Sequence, residues 1–173
     1  MRLLFPGGVL RSFRHEDALE MARHADNPNV WVQLRDAFPH PYRLEDARRF
    51  LEAHVGAVPE TVLAIEVHGG FAGSVGLKLG MDVERVSAEI GYWVAEPFWG
   101  RGIATGALVA ATDWAFGEWP LTRIFAVPFA RNAASVRVLE KAGYVLEGRM
   151  VRSAVKQGEV LDQLLYAAYR TGP

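Results

Sequence analysis

The chain has 173 residues, half of them hydrophobic and 23% charged, with a formal net charge of −1. That size fits one domain with a full core. The neutral balance excludes a broad basic surface for nucleic acid, and the lack of cysteine excludes disulfides, thiolate metal sites and a cysteine nucleophile. No apolar run is long enough for a bilayer, and the opening M-R-L-L-F-P-G-G is too short in its apolar part for a signal peptide. The expectation is one cytoplasmic domain over residues 1–173, with no metal, membrane or nucleic-acid partner.

Val9 to Arg14 reads as a first strand, and the acids of His15-Glu16-Asp17 suit a helix start. Leu19, Met21, Ala22 and Ala25 recur at helical spacing, which predicts a short helix over 17–26, stopped by Asn27-Pro28-Asn29. V-W-V-Q-L-R-D-A-F-P-H-P-Y follows neither period and reads as an ordered loop packed over something. Leu44, Ala47, Phe50, Leu51 and Val55 share a face of a second helix, with Glu45 and Asp46 in its first turn. The period then becomes two: strands over 61–68 and 71–79 flank a His68-Gly69-Gly70 turn. Val86 to Ala95 carries no charge after Glu89, which predicts a central strand covered on both faces.

A helix over 103–117 comes next, then a strand over 123–128. A helix over 132–142 is capped by Asn132 and stopped by Gly143. A long closing hairpin, 144–155 and 159–169, turns at Lys156-Gln157-Gly158. The alternation of elements predicts a mixed α/β domain with one central sheet.

The segment from Ala88 to Ala115 organises the rest. A buried strand runs through a glycine bend into a helix of small residues, which offers free backbone N–H groups and a positive dipole end to a phosphate. The P-loop pattern fails because no lysine follows the glycines. The dinucleotide pattern fits at Gly100 and Gly102 but has Thr105 in the third glycine position, and R-I-F-A-V-P ends without an acid for a ribose, so a nicotinamide enzyme stands as a weaker reading.

E-I-G-Y-W-V-A-E-P-F-W-G-R-G-I-A-T, then N-A-A-S-V-R-V-L-E-K-A-G-Y and L-E-G-R, resembles the GNAT N-acetyltransferase superfamily, in its RimJ/RimL-like branch of ribosomal-protein N-terminal acetyltransferases. F-P-H-P-Y-R-L-E-D-A and G-E-V-L-D-Q-L-L-Y-A extend the similarity over most of the chain. The resemblance implies an α/β (α+β) fold: one mixed, mostly antiparallel sheet of about seven strands, about four flanking helices, and a splayed strand pair holding the cofactor. It implies acetyl-CoA as co-substrate. The diphosphate loop matches as Trp99-Gly100-Arg101-Gly102-Ile103-Ala104, with Trp99 where the family has Gln or Arg. Gly100 and Gly102 let the main chain approach the phosphates; Ala104 and Thr105 add N–H groups. Arg101 either contacts a phosphate or is simply solvated.

The resemblance also sets Trp93, Val94 and Ala95 along the pantetheine arm, with the N–H of Val94 facing the thioester oxygen. Trp93 and Val94 read equally as core. Asn132 contacts the arm besides capping its helix. Ser135 stands where RimL-like enzymes place the donor to the leaving thiolate, since Leu139 replaces the tyrosine of other members.

Acetyl transfer needs a neutral amine. An α-amine has a pKa of about 8, so roughly a tenth is neutral at pH 7, whereas a lysine amine near 10.4 asks far more of a base. Glu89, the carboxylate of the apolar strand, shares a face with Gly91 and Trp93. Burial would strengthen its hold on a proton, as a general base requires; it reads otherwise as half of a structural salt bridge with Arg123 or Arg149. The acceptor would enter over Trp31, Phe38, His40 and Tyr42, which suit a peptide terminus, a polyamine, an amino sugar or an amino acid alike. The runner-up is a non-catalytic module that binds CoA as a sensor or assembly partner. Strand edges in the closing hairpin would allow a homodimer.

Overall fold

In a computed structural model, which describes residues 1–170, the first strand lies earlier than the hydrophobic pattern indicates. β1 (Arg2–Phe5) and β2 (Gly8–Arg11) form an antiparallel hairpin, turning at Gly7 with φ +93°. Asp17, whose carboxylate accepts from the N–H of Arg14 at 2.9 Å, leads into α1 (Ala18–Ala25). Asn27 caps a one-turn helix, α2 (Pro28–Trp31), by accepting from the N–H of Asn29 at 2.8 Å. α3 (Leu44–His54) follows the loop. β3 (Val62–Val67) and β4 (Gly70–Leu79) are joined through His68 and Gly69, whose φ angles of +51° and +84° are the pair that a tight hairpin turn requires.

β5 (Ser87–Val94), α4 (Ile103–Glu118), β6 (Arg123–Ala126), α5 (Ala133–Lys141), β7 (Val145–Lys156) and β8 (Glu159–Tyr169) complete the chain. The eight strands form one sheet in the order β1-β2-β3-β4-β5-β6-β8-β7, and β5–β6 is its parallel pair. The architecture is the expected mixed α/β sheet, with eight strands and five α-helices among the described residues rather than about seven and four; the additions are β1 and α2.

Strand alternation sorts side chains to two layers. Ile90 and Val94 pack with Ala107, Leu108 and Ala111 of α4. On the other face Trp93 joins Phe71, Met21 of α1 and Leu51 of α3. Arg11 is 4% exposed and holds Glu66 at 2.6 Å and Asp17 at 2.6 and 2.8 Å, a fully paired group that ties β2 to β3 and to the α1 entry.

Two features prepare the site. A Cβ on Gly106 would lie 2.6 Å from the Phe5 ring, so this glycine lets the β1–β2 hairpin brace the start of α4. Between β5 and β6, pairing covers only Ser87/Arg123, Ala88/Ile124 and Glu89/Phe125. β6 then ends and the chain turns to β8, where Pro128 C=O accepts from Leu164 at 2.9 Å. From Ile90 to Val94, β5 stays paired with β4 but has no strand on its β6 edge, and the expected splay is present.

Candidate functional site

The glycine bend is open. Gly100 and Gly102 have φ angles of +72° and +77°, which glycine adopts without strain, and a Cβ on either would meet nothing within 4 Å. Gly102 is the N-cap of α4, and no side chain caps the helix. Its C=O accepts from the N–H of Gly106 at 2.9 Å. Among the described residues the N–H groups of Ile103, Ala104 and Thr105 find no backbone acceptor outside the helix, and α4 itself supplies none to its first turn. These unclaimed donors at a positive dipole end fit a diphosphate. Arg101 is exposed and has no ion-pair partner among the described residues.

The edge of β5 that faces the splay continues this donor surface. Ala95 N–H bonds Ala72 C=O of β4 at 2.8 Å, so the main chain at Ala95, and by alternation at Trp93, turns to β4. Val94 turns the other way. Its C=O accepts from the Trp99 indole N–H at 2.6 Å, and its N–H faces the gap. Of the three positions expected along an arm, Val94 is thus the one offering a free main-chain donor. Trp99, the departure from the family pattern, laces the glycine bend to that strand.

Across the gap stands the start of α5. Asn132 Oδ1 accepts from the N–H of Ser135 at 3.1 Å, the expected cap. The Ser135 hydroxyl lies 2.8 Å from that of Tyr92, which alternation puts on the face of β5 opposite Glu89. Burial pushes the Tyr92 phenol up to about 12. Leu139 is 0% exposed in the core and offers no hydroxyl.

On the opposite face of β5, Glu89 pairs with Arg35 of the loop after α2. Neither expected partner reaches it: Arg123 binds Glu147, and Arg149 binds Asp162 at 2.7 Å. Arg123 of β6 and Arg149 of β7 are matched to carboxylates of the closing hairpin, while Arg35 arrives from a segment too irregular to place by pattern. The Glu89 side chain keeps 23% of its surface exposed, so burial is partial and the loop's cation supplies the pairing.

The four aromatic residues expected over the acceptor divide. Phe38 packs edge-on to Trp93 at 5.6 Å and borders the site. Trp31 stacks on His40 at 4.7 Å and carries the Lys156 ammonium over its ring at 4.0 Å. Lys156 is 1% exposed and bonds Asp36 at 2.8 Å, so this stack anchors the loop to the closing hairpin. Tyr42 is 7% exposed, beneath the loop in the α1/α3 layer, with its ring 4.9 Å from Phe38, and burial pushes its phenol up to about 12. A cavity of about 260 Å³ opens between Arg35, Asp36, Phe129 and Gln163, next to the Arg35–Glu89 pair. Among the described residues there is no His, Cys, Asp or Glu cluster able to hold a metal, and no helix long and apolar enough to cross a membrane.

Residues 9–145 match the family described as acetyltransferase (GNAT) domain. YjcK of Bacillus subtilis, named as a probable N-acetyltransferase, is 46% identical over 70 residues, 40% of this chain and 38% of that protein. The match therefore spans well under half of that relative's length. Mycobacterium smegmatis RimJ in complex with CoA-disulfide superposes with a TM-score of 0.83 at 30% identity, over 98% of this chain and 86% of that one. RimL, a ribosomal L7/L12 α-N-protein acetyltransferase in complex with coenzyme A, superposes with a TM-score of 0.85 at 20% identity, over 98% of each chain.

Proposed function

The chain belongs to the GNAT acetyltransferase family, and we propose that it transfers an acetyl group from acetyl-CoA to a primary amine, a protein N-terminal α-amine or a small-molecule amine, by direct attack in a ternary complex. The observation that carries this reading is the continuous run of unclaimed main-chain donors from Gly100 through Ile103 to Thr105, joined at Val94 to the open edge of β5. The acceptor amine would bind across β5, at Glu89.

Acetyl-CoA supplies an acyl carbon activated by a thioester. The N–H groups of Ile103, Ala104 and Thr105 would bind its diphosphate, with Gly100 and Gly102 keeping the approach clear. Asn132 and the β5 edge would bracket the arm. The N–H of Val94 would donate to the thioester oxygen as that oxygen becomes negative, a contribution typically worth about 10²-fold or more in rate. Glu89 would take one proton from the bound ammonium, directly or through a water, and free the neutral amine to attack; the nitrogen's second proton would leave to water once the amide forms. The acceptor's ammonium would first displace the Arg35 guanidinium from Glu89, so charge replaces charge. Phe38 and Trp93 would exclude water beside it. Ser135 would donate a hydrogen bond to the departing sulfur.

An α-amine, already about a tenth neutral at pH 7, suits an ion-paired carboxylate base better than a lysine amine does. The CoA complexes of RimJ and RimL support the donor, and RimL, named as an α-N-protein acetyltransferase, supports the α-amine class. The outer edge of β7, with Leu146, Val151 and Val155 exposed, is the edge through which a homodimer would form.

The test is thiol release from acetyl-CoA with a panel of peptides, polyamines, aminoglycosides and amino acids, with the acetylated product identified by mass. Glu89→Gln is expected to slow release by about 10²-fold or more with acetyl-CoA affinity unchanged. Unchanged turnover of Glu89→Gln from about pH 6 to 9 removes the base role. Leu139, buried where other members carry a tyrosine, favours one rival: acetyl-CoA binding with no thiol release across the panel makes the chain a CoA-binding sensor instead.

A further inference from the structure

Tyr92 sits on the stretch of β5 that β6 leaves unpaired, and its side chain bridges to α5. Its hydroxyl lies 2.8 Å from Ser135 Oγ and 3.3 Å from the Ser135 carbonyl oxygen. Resting on the acetyl-transfer reading above, we propose that Tyr92 is a positioning residue for Ser135: its O–H donates to Ser135 Oγ and leaves the serine O–H free to donate to the departing sulfur.

The hydroxyl count decides the direction. Each group has one proton. If Tyr92 donated to the carbonyl, Ser135 would donate to the phenol oxygen and have nothing left for sulfur. The 2.8 Å contact is at the usual O–H···O length, whereas 3.3 Å lies beyond it. The hydroxyl pair is therefore the stronger interaction. Without a donor from Tyr92, a first-turn serine would be free to turn to local backbone groups. Asn132 fixes the Ser135 N–H at 3.1 Å, so the turn that carries the hydroxyl is itself held.

Tyr92 keeps its proton throughout. Burial pushes its phenol up to about 12, and an alkyl thiol ionises near 8.5, so transfer from phenol to thiolate is unfavourable by about three powers of ten. The role is a polarised chain, Tyr92 O–H to Ser135 O–H to sulfur, which tightens as charge gathers on sulfur. The bond from nitrogen to acyl carbon forms and the carbon–sulfur bond breaks with its electron pair on sulfur. The bound ammonium gives one proton to Glu89 before attack and the nitrogen gives a second to water once the amide forms; the thiolate takes one from water, so one proton is released overall.

The test is a double-mutant cycle on acetyl transfer by Tyr92→Phe, Ser135→Ala and the double variant, with acetyl-CoA affinity and thermal unfolding measured alongside. Ser135→Ala is expected to lower kcat about 10- to 100-fold and Tyr92→Phe about 3- to 10-fold, each with acetyl-CoA Kd within about twofold. The double variant should be no slower than Ser135→Ala. In Ser135→Thr, which keeps a hydroxyl, Tyr92→Phe should slow turnover again. Additive losses, or a Kd weakened equally in both backgrounds, overturn the inference alone and make Tyr92 a packing residue. A Ser135→Ala chain as fast as the unsubstituted one removes both hydroxyls from the mechanism while leaving acetyl transfer intact. No thiol release from the unsubstituted chain overturns the functional reading and this inference together.

Discussion

Gly102→Ala separates the cost of bending the chain from the cost of losing a ligand. Gly102 has φ +77° and ψ 0°, and the added methyl meets no atom within 4 Å. The penalty in the free protein is then conformational alone, roughly 1–2 kcal/mol for a left-handed residue bearing a Cβ. For a chain of this size that lowers Tm by about 2–8 °C. The same methyl projects into the space through which a diphosphate would reach the start of α4. A hydrogen bond to a charged group is worth about 1.5–3 kcal/mol, so losing one weakens acetyl-CoA binding roughly 10- to 100-fold. Gly106→Ala is the contrast: its Cβ would lie 2.6 Å from the Phe5 ring, so Tm falls through the displaced β1–β2 hairpin while the bend keeps its donors. Calorimetric titration with acetyl-CoA, paired with thermal unfolding, reads both quantities. A Gly102→Ala chain that melts early yet binds acetyl-CoA within twofold of the unsubstituted chain refutes the assignment of the bend to phosphate.

Arg35→Ala removes the cation that competes with the acceptor for Glu89. An exposed pair worth up to about 1 kcal/mol corresponds to a fall in amine KM of about 2- to 5-fold, with the KM for acetyl-CoA unchanged; a raised amine KM in steady-state assays counts against the displacement step. Glu147 is held down to about 2 by its hydrogen bonds from Arg123 and then Tyr169. Because the folded state depresses this carboxyl below its ordinary 4.5, it stabilises above that pH and loses its contribution as pH falls through 2. Glu147→Gln should therefore cost up to about 1 kcal/mol at neutral pH, given its solvent contact, and nothing at the acid limit. Denaturant titrations that show the same deficit at both ends contradict the linkage.

Local rules reached the parts of the molecule that local chemistry builds. Gly100 and Gly102 mark a bend needing positive φ, Asn132 marks a helix start, and the charge-free run after Glu89 marks a strand with layers on both faces. β1 is missing from that pattern because four residues with Leu4 exposed carry too little alternation. α2 is a single turn launched by Pro28, inside a segment without either period. The remaining differences are long-range. Nothing near Glu89 names Arg35, 54 positions away. Alternation tells which layer Tyr92 enters but not that its hydroxyl meets Ser135, 43 positions on. Among the loop aromatics, composition cannot separate Phe38, which borders the site, from Tyr42, which the α1/α3 layer absorbs.

The three register pairs joining β5 to β6 form a narrow seam between a five-stranded and a three-stranded half-sheet. Anything seated along the open part of that seam works as a suture between the halves, and at a hundredfold excess over its Kd it adds about 2.7 kcal/mol to the folded state. Donor supply would then set how long the protein survives as well as how fast it works: a cell starved of acyl donor would hold the looser form, with the amide hydrogens around the seam open to exchange.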